Sequence, residues 1–155
     1  MSNRFPLPDP DFAPTRAYFE SAAAGKLSIP RCPDCMRWDW YPTGSCAACD
    51  RTPTAWIELG GDAELFSFSI VRRAFAAPFR DCVPFVAALV VPQEAPPVRI
   101  PTNIVDCDFD ALVIGMPLRV VFRTLQFAGI EGQVIAPQFV PGASTRPSPG
   151  LVSGP

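Results

Sequence analysis

The chain reads as mainly β, with a short N-terminal helix, a small cysteine module and a closed or nearly closed barrel of five or six strands. Three observations predict this. Four of the six cysteines fall between residues 29 and 52, six short apolar runs follow them, and no amphipathic segment of helix length interrupts those runs. A parallel sheet with crossover helices is therefore disfavoured, and small antiparallel barrels close the edge that such strands would otherwise expose. With 155 residues and 48% apolar content the chain is long enough to bury an ordinary core, since a domain of this size hides roughly 70% of the surface its unfolded form exposes.

Residues 1–10 carry three prolines and predict an extended arm that orders by docking. From Asp11 a helix is expected: Asp11 can cap it, Pro14 suits its first turn, and Gly25 can end it. Phe12, Thr15, Arg16, Phe19, Ala22 and Ala23 then share one face, whose aromatic and alanine content suits covering a core or a partner. The apolar runs are Ala55–Leu59, Ala63–Val71, Pro84–Val91, Val98–Asp106, Pro117–Leu125 and Ile130–Val140, separated by turn residues such as Gly60-Gly61 and Pro96-Pro97. The expected organisation is an arm and helix over 1–28, a metal ribbon over 29–53, a barrel over 54–141 and a flexible Gly/Ser/Pro-rich tail over 142–155.

Composition excludes several classes of chemistry. The chain has no histidine, which removes the usual general base near neutral pH and the Ser-His and Cys-His nucleophile pairs. It has 12 arginines but one lysine, Lys26, and a net charge of −2, without the basic excess of a protein that neutralises many phosphates. No apolar stretch has the length of a membrane span, and the N-terminus lacks the basic start and apolar run of an export signal. The expected location is the cytoplasm.

Cys32-x-x-Cys35 and Cys46-x-x-Cys49 are separated by ten residues, a spacing that lets two tight turns present four thiolates to one tetrahedral metal. A disulfide framework competes but needs an oxidising compartment, and a redox Cys-x-x-Cys would need only one of the pairs. Four protein ligands leave no open coordination position, so zinc in this site is structural. Trp38, Trp40 and Tyr41 lie between the knuckles, where a module too small for its own core packs them against the rest of the chain or another subunit. Cys107 reads as a small buried residue and Cys82 as a loop cysteine.

Gly25-Lys-Leu-Ser-Ile-Pro-Arg-Cys-Pro-Asp-Cys, then Trp40-Tyr-Pro, Cys46-x-x-Cys49 and Trp56-Ile-Glu-Leu-Gly-Gly-Asp-Ala-Glu-Leu-Phe, resembles one known family. It is the rubredoxin-like zinc-ribbon plus OB-fold family of acyl-CoA-associated proteins, long catalogued as a domain of unknown function. Val83-Pro-Phe-Val-Ala-Ala-Leu-Val, Thr102-Asn-Ile-Val-Asp-Cys and Ile114-Gly-Met-Pro-Leu-Arg-Val-Val-Phe match it too, so the resemblance covers about residues 11–140 in order. It implies an OB-fold barrel after the ribbon and a non-catalytic accessory role. The implied partner is a thiolase-superfamily enzyme, such as a lipid-transfer-protein-like thiolase, aldolase or acyltransferase, in some settings with a MaoC-like hydratase. Steroid or lipid side-chain degradation is one such setting, and the accessory chain is expected to help form the acyl-CoA site. One departure is Met36, where the family commonly has a glycine after the second ribbon cysteine; it predicts strain or a different shape at the first knuckle.

The segment Arg72-Arg73-Ala-Phe75-Ala-Ala-Pro-Phe79-Arg80 joins two expected strands. Arginine can take phosphate oxygens and stack on adenine while phenylalanine lines an acyl path, so Arg72, Arg73, Phe75, Phe79 and Arg80 are candidate acyl-CoA contacts; a solvated hairpin capping the barrel is the structural alternative. Asn103 lies within an apolar run and is either a bond donor or acceptor at the barrel mouth or a buried amide that satisfies backbone groups. The carboxylates Asp62, Glu64, Asp106, Asp108 and Asp110 form no convincing acid/base pair, and turns account for most of them. The alternative function is a single-stranded nucleic-acid-binding OB module, which arginine with aromatics would suit and the acidic balance opposes.

Overall fold

The structure, a computed structural model, describes residues 5–52 and 55–142. These residues form one α-helix, α1 (Arg16–Ala23), and seven strands: β1 (Leu27–Arg31), β2 (Ala55–Leu59), β3 (Asp62–Val71), β4 (Phe85–Pro92), β5 (Ile100–Ile104), β6 (Pro117–Leu125) and β7 (Val134–Pro141). Five strands close a barrel in the order β3-β4-β5-β7-β6. The remaining two form a separate antiparallel ribbon with Leu27 opposite Leu59 and Arg31 opposite Ala55. The run Ala55–Leu59, counted among the strands of the expected barrel, thus pairs with β1 instead. Its partner Leu27–Arg31 carries no strict alternation because four of its five residues are buried, which hides it from a pattern of period two.

The barrel strands show why they sit where they do. In β4 burial alternates along the whole strand, with Val86, Ala88, Val90 and Pro92 inward. A bulge at Phe66, between Leu65 and Ser67, re-aims the first half of β3 so that it pairs with both β4 and β6. Asp62 pairs Arg119 in the β3–β6 register, and the two side chains make an ion pair at 2.7 Å. Leu65, Val86, Val90, Ile100, Leu118 and Phe139 fill the interior, and the same core runs on through Leu59, Ile29, Leu27 and Tyr18. Ribbon sheet, helix and barrel therefore share one apolar interior.

The helix is shorter than expected. It starts at Arg16 with Thr15 at its N-cap, Asp11 makes no cap, and residues 12–15 form turns that lead into it. Phe12 accordingly lies off the helix and is exposed, while the buried face is set by Thr15, Tyr18 and Ala22. Gly25, at φ +74°, ends it as expected. In the arm, Leu7 is buried and the Phe5 ring meets Phe79 edge-on at 6.1 Å. Residues 1–4 of the expected arm, and all of the expected tail after Gly142, lie outside the described residues.

Candidate metal centre and the barrel mouth

Two turns with the same hydrogen-bond pattern build the cysteine site. In the first, the Met36 amide donates to Cys32 O at 2.9 Å and the Cys32 amide to Arg37 O at 2.9 Å. In the second, the Asp50 amide donates to Cys46 O at 2.8 Å and the Cys46 amide to Arg51 O at 3.1 Å. Each turn closes on a residue in the left-handed region, Met36 at φ +59° and Asp50 at φ +54°. Met36 thus adopts the conformation a glycine would take, so the first knuckle keeps its shape and carries the strain itself.

The four sulfurs all lie within 4.8 Å of one another, with Cys32 Sγ–Cys49 Sγ and Cys35 Sγ–Cys46 Sγ each at 3.6 Å. These distances are far beyond a disulfide bond of about 2.05 Å. They match the edge of about 3.8 Å that zinc–sulfur bonds of about 2.3 Å require in a tetrahedron. Electrostatics agree: amides of Ala48 and Cys49 lower the Cys46 thiol to about 7. Cys49 is pushed up to about 12; the Arg51 amide, its largest single influence, acts downward, and burial with the three neighbouring thiols outweighs it. Four crowded thiols resist ionising together, and a divalent cation among them removes that resistance. The donor set therefore fits zinc, which would join the two knuckles and leave no coordination position for a substrate.

Aromatic residues fasten this module to the body. The Trp40 ring lies 5.3 Å from that of Tyr18 on α1, and the Arg31 guanidinium sits 5.0 Å from the centre of the Trp38 ring. Burial, with Tyr41 nearby, holds the Tyr18 phenol above its ordinary range, so it stays protonated. Tyr41 and Met36 are exposed on the ribbon surface.

The candidate acyl-CoA residues divide between two places. Arg72, Arg73 and Arg80 are exposed on the β3–β4 connection and make no ion pair among the described residues, and Phe75 on the same loop is 94% exposed. Phe79 instead folds over the barrel end, stacked on Phe85 at 6.1 Å and edge-on to Phe127 at 5.5 Å. It lines a cavity of about 200 Å³ together with Asn103 and Cys82. Asn103 Nδ2 donates to Val86 O at 3.0 Å, so the amide both satisfies a backbone carbonyl and faces the cavity. Sequence reasoning missed Gln138, which lines the same space from β7. Its one signal was a lone polar residue within the apolar stretch Val134–Val140.

Other residues take structural parts. Asp106 pairs with Arg123 at 2.9 Å, Asp108 accepts the Asp110 amide at 3.0 Å, and Lys26 pairs with Glu58 at 2.8 Å. Cys107 is half-buried rather than fully buried, its Sγ 4.0 Å from Ile104 O, and burial raises its thiol. Cys82 lies 3.8 Å from Pro78 O. No helix among the described residues is long and apolar enough to cross a membrane.

A two-stranded ribbon bearing four clustered thiols, followed by a five-stranded barrel, defines a zinc-ribbon and OB-fold protein. The comparisons name its kind. Residues 19–54 match the family model of the ChsH2 rubredoxin-like zinc ribbon domain, and residues 56–123 that of the ChsH2 C-terminal OB-fold domain. A DUF35 domain-containing scaffold protein of Methanocaldococcus jannaschii is 30% identical over 105 residues, covering 67% of this chain and 72% of that protein. A protein of the same description from Methanothermobacter thermautotrophicus is 31% identical over 78 residues, 50% of this chain and only 56% of that protein's length. The chain belongs to the DUF35 family. Among solved structures it resembles a chain of the Ltp2-ChsH2(DUF35) aldolase at 28% identity and TM-score 0.66, covering 82% of this chain and 93% of that one. A DUF35-family protein of unknown function from Sulfolobus solfataricus, 15% identical with TM-score 0.54 over 77% of this chain and 84% of its own, shares the fold.

Proposed function

We propose that this chain is a non-catalytic accessory subunit that binds a thiolase-superfamily enzyme of the lipid-transfer-protein type and helps form its acyl-CoA site. The observation that carries the reading is the likeness to a chain of the Ltp2-ChsH2(DUF35) aldolase over 82% of this chain. The scaffold description of the archaeal relatives points the same way. The partner enzyme supplies the catalytic groups, and the reaction is an aldol cleavage or acyl transfer on a steroid or other lipid side chain in the cytoplasm. A MaoC-type hydratase is a further subunit of the same proposal.

Zinc held by Cys32, Cys35, Cys46 and Cys49 has a structural part here: it fixes the ribbon as a rigid mount beside the barrel. The β3–β4 loop is the surface offered to ligand and partner. Arg72, Arg73 and Arg80, exposed and without ion-pair partners among the described residues, suit the phosphates of coenzyme A. Phe75, Phe79 and Asn103 suit its uncharged arm. A tagged pull-down from the native cell, followed by mass spectrometry of the intact complex with and without acyl-CoA, tests this. A thiolase-superfamily enzyme in fixed ratio is the expected result; recovery of nucleic acid, or of the chain alone, contradicts it.

A further inference from the structure

The barrel is closed unevenly. β5 and β7 run parallel and share one register pair, Ile104 with Phe139, whereas β4 and β5 share five. The sequence explains the gap: Pro101 and Pro137 stand on the two facing strands, and neither has an N–H to give. The seam is stitched instead by Thr102 Oγ1 donating to Pro137 O at 3.0 Å and by the Val105 amide donating to Phe139 O at 2.8 Å.

Two cavities open along this seam, of about 200 and 180 Å³, and they share Asn103, Leu125 and Gln138. Among the described residues, no Asp, Glu, Lys or Arg lines either one. Gln138 has only 9% of its surface exposed, and its carboxamide has no hydrogen-bond partner among the described residues. Asn103 spends its Nδ2 on Val86 O and leaves its Oδ1 without one. These unpaired amide atoms are solvent-accessible, since among the described residues only Asp39 Oδ2 is a fully buried side-chain polar atom without a partner. They line the cavities with donor and acceptor open, and a ligand that offers a C=O and an N–H can pair with both. Phe79, Phe85 and Phe127 line the larger cavity beside the aliphatic Ile104, Val105 and Leu125.

We infer that the β5–β7 seam is a binding site for a small uncharged molecule that joins an apolar or aromatic body to a carboxamide. The body lies against Phe79, Phe85 and Phe127, and the carboxamide pairs with Gln138 and the Asn103 Oδ1. Carboxylates and phosphates are excluded, because no cation in the lining would repay their desolvation. The site shares Phe79 and Asn103 with the acyl-CoA surface proposed above, but it is tested on the isolated chain with a small amide, so the two readings fail separately.

Cys82 reports occupancy, since it lines the first cavity while Cys107 does not. The full-length, zinc-loaded chain is treated with methyl methanethiosulfonate in the presence of N-propylbenzamide or of benzoate, and labelling of Cys82 is timed against Cys107. The amide slows Cys82 selectively, and benzoate at the same concentration leaves it unchanged. Gln138→Leu, which keeps the volume and raises apolarity, weakens protection by about tenfold, the loss of one or two hydrogen bonds. Equal protection by benzoate, or undiminished protection in a folded Gln138→Leu chain, overturns the assignment. Phe79→Ala removes an aromatic wall from a loop position and serves if Gln138→Leu does not fold: retained protection there overturns it as well.

Discussion

The ribbon and the barrel are held together by different means. Between residues 32 and 52 only Cys32, Asp39, Pro42 and Cys46 are buried, so the knuckles have almost no interior of their own. The barrel hides Leu65, Val86, Val90, Ile100, Leu118 and Phe139 behind a nearly complete ring of strands. One module depends on a coordination centre and the other on apolar burial, and both dock on a shared core through Tyr18, Leu27 and Ile29. The lesson is that metal loss and core damage should be separable in one small chain.

The largest separation comes from the metal. Structural zinc contributes about 10–16 kcal/mol of apparent binding free energy in small ribbons and fingers, so Cys46→Ser should lower bound zinc from one per chain to nearly none. Hydrogen exchange should then show residues 32–52 opened while β3–β7 remain protected. Global unfolding of the barrel in that variant would break the comparison. The reverse experiment is Phe139→Ala, which empties a fully buried site in the barrel and should cost about 3–5 kcal/mol in urea denaturation, with zinc retained up to the transition.

A smaller loss is expected at the ribbon–barrel corner. Gly61 sits at φ +88°, and a Cβ there would overlap Val120 Cγ1. Gly61→Ala should therefore cost about 2–4 kcal/mol from left-handed backbone strain plus overpacking, read as a lowered denaturation midpoint. The smallest effect is a gain: Met36→Gly relieves a left-handed residue at the first knuckle and should stabilise the zinc-loaded ribbon by about 1 kcal/mol, measured by chelator competition. A loss there would show that the Met36 side chain, not only its backbone, holds the knuckle.

The parts of this arrangement that were legible in the sequence are those written in local chemistry. Cys-x-x-Cys pairs ten residues apart announce a tetrathiolate cluster because ligand spacing follows from the size of a tight turn. The apolar run that becomes β4 and the Gly25 helix stop are equally local. What escaped was set by neighbours distant in sequence. The run at Ala55–Leu59 could not reveal that its partner is Leu27–Arg31 rather than a barrel strand, since both partners satisfy the same apolar pattern. Tyr18 displaced Phe12 from the buried face because the helix begins four residues later than Asp11 allows. The seam that Gln138 lines arises only when Pro101 and Pro137 are brought to facing strands, a coincidence that no single segment contains.

The most direct test of the accessory role is turnover by a reconstituted pair. The chain and a lipid-transfer-protein-type thiolase partner would be purified separately and together, and aldol cleavage or acyl transfer on acyl-CoA measured for each. The account predicts that this chain alone is inactive, that the partner alone is impaired, and that activity returns at a fixed ratio of the two. Full activity of the partner alone, unchanged by adding this chain, would contradict it.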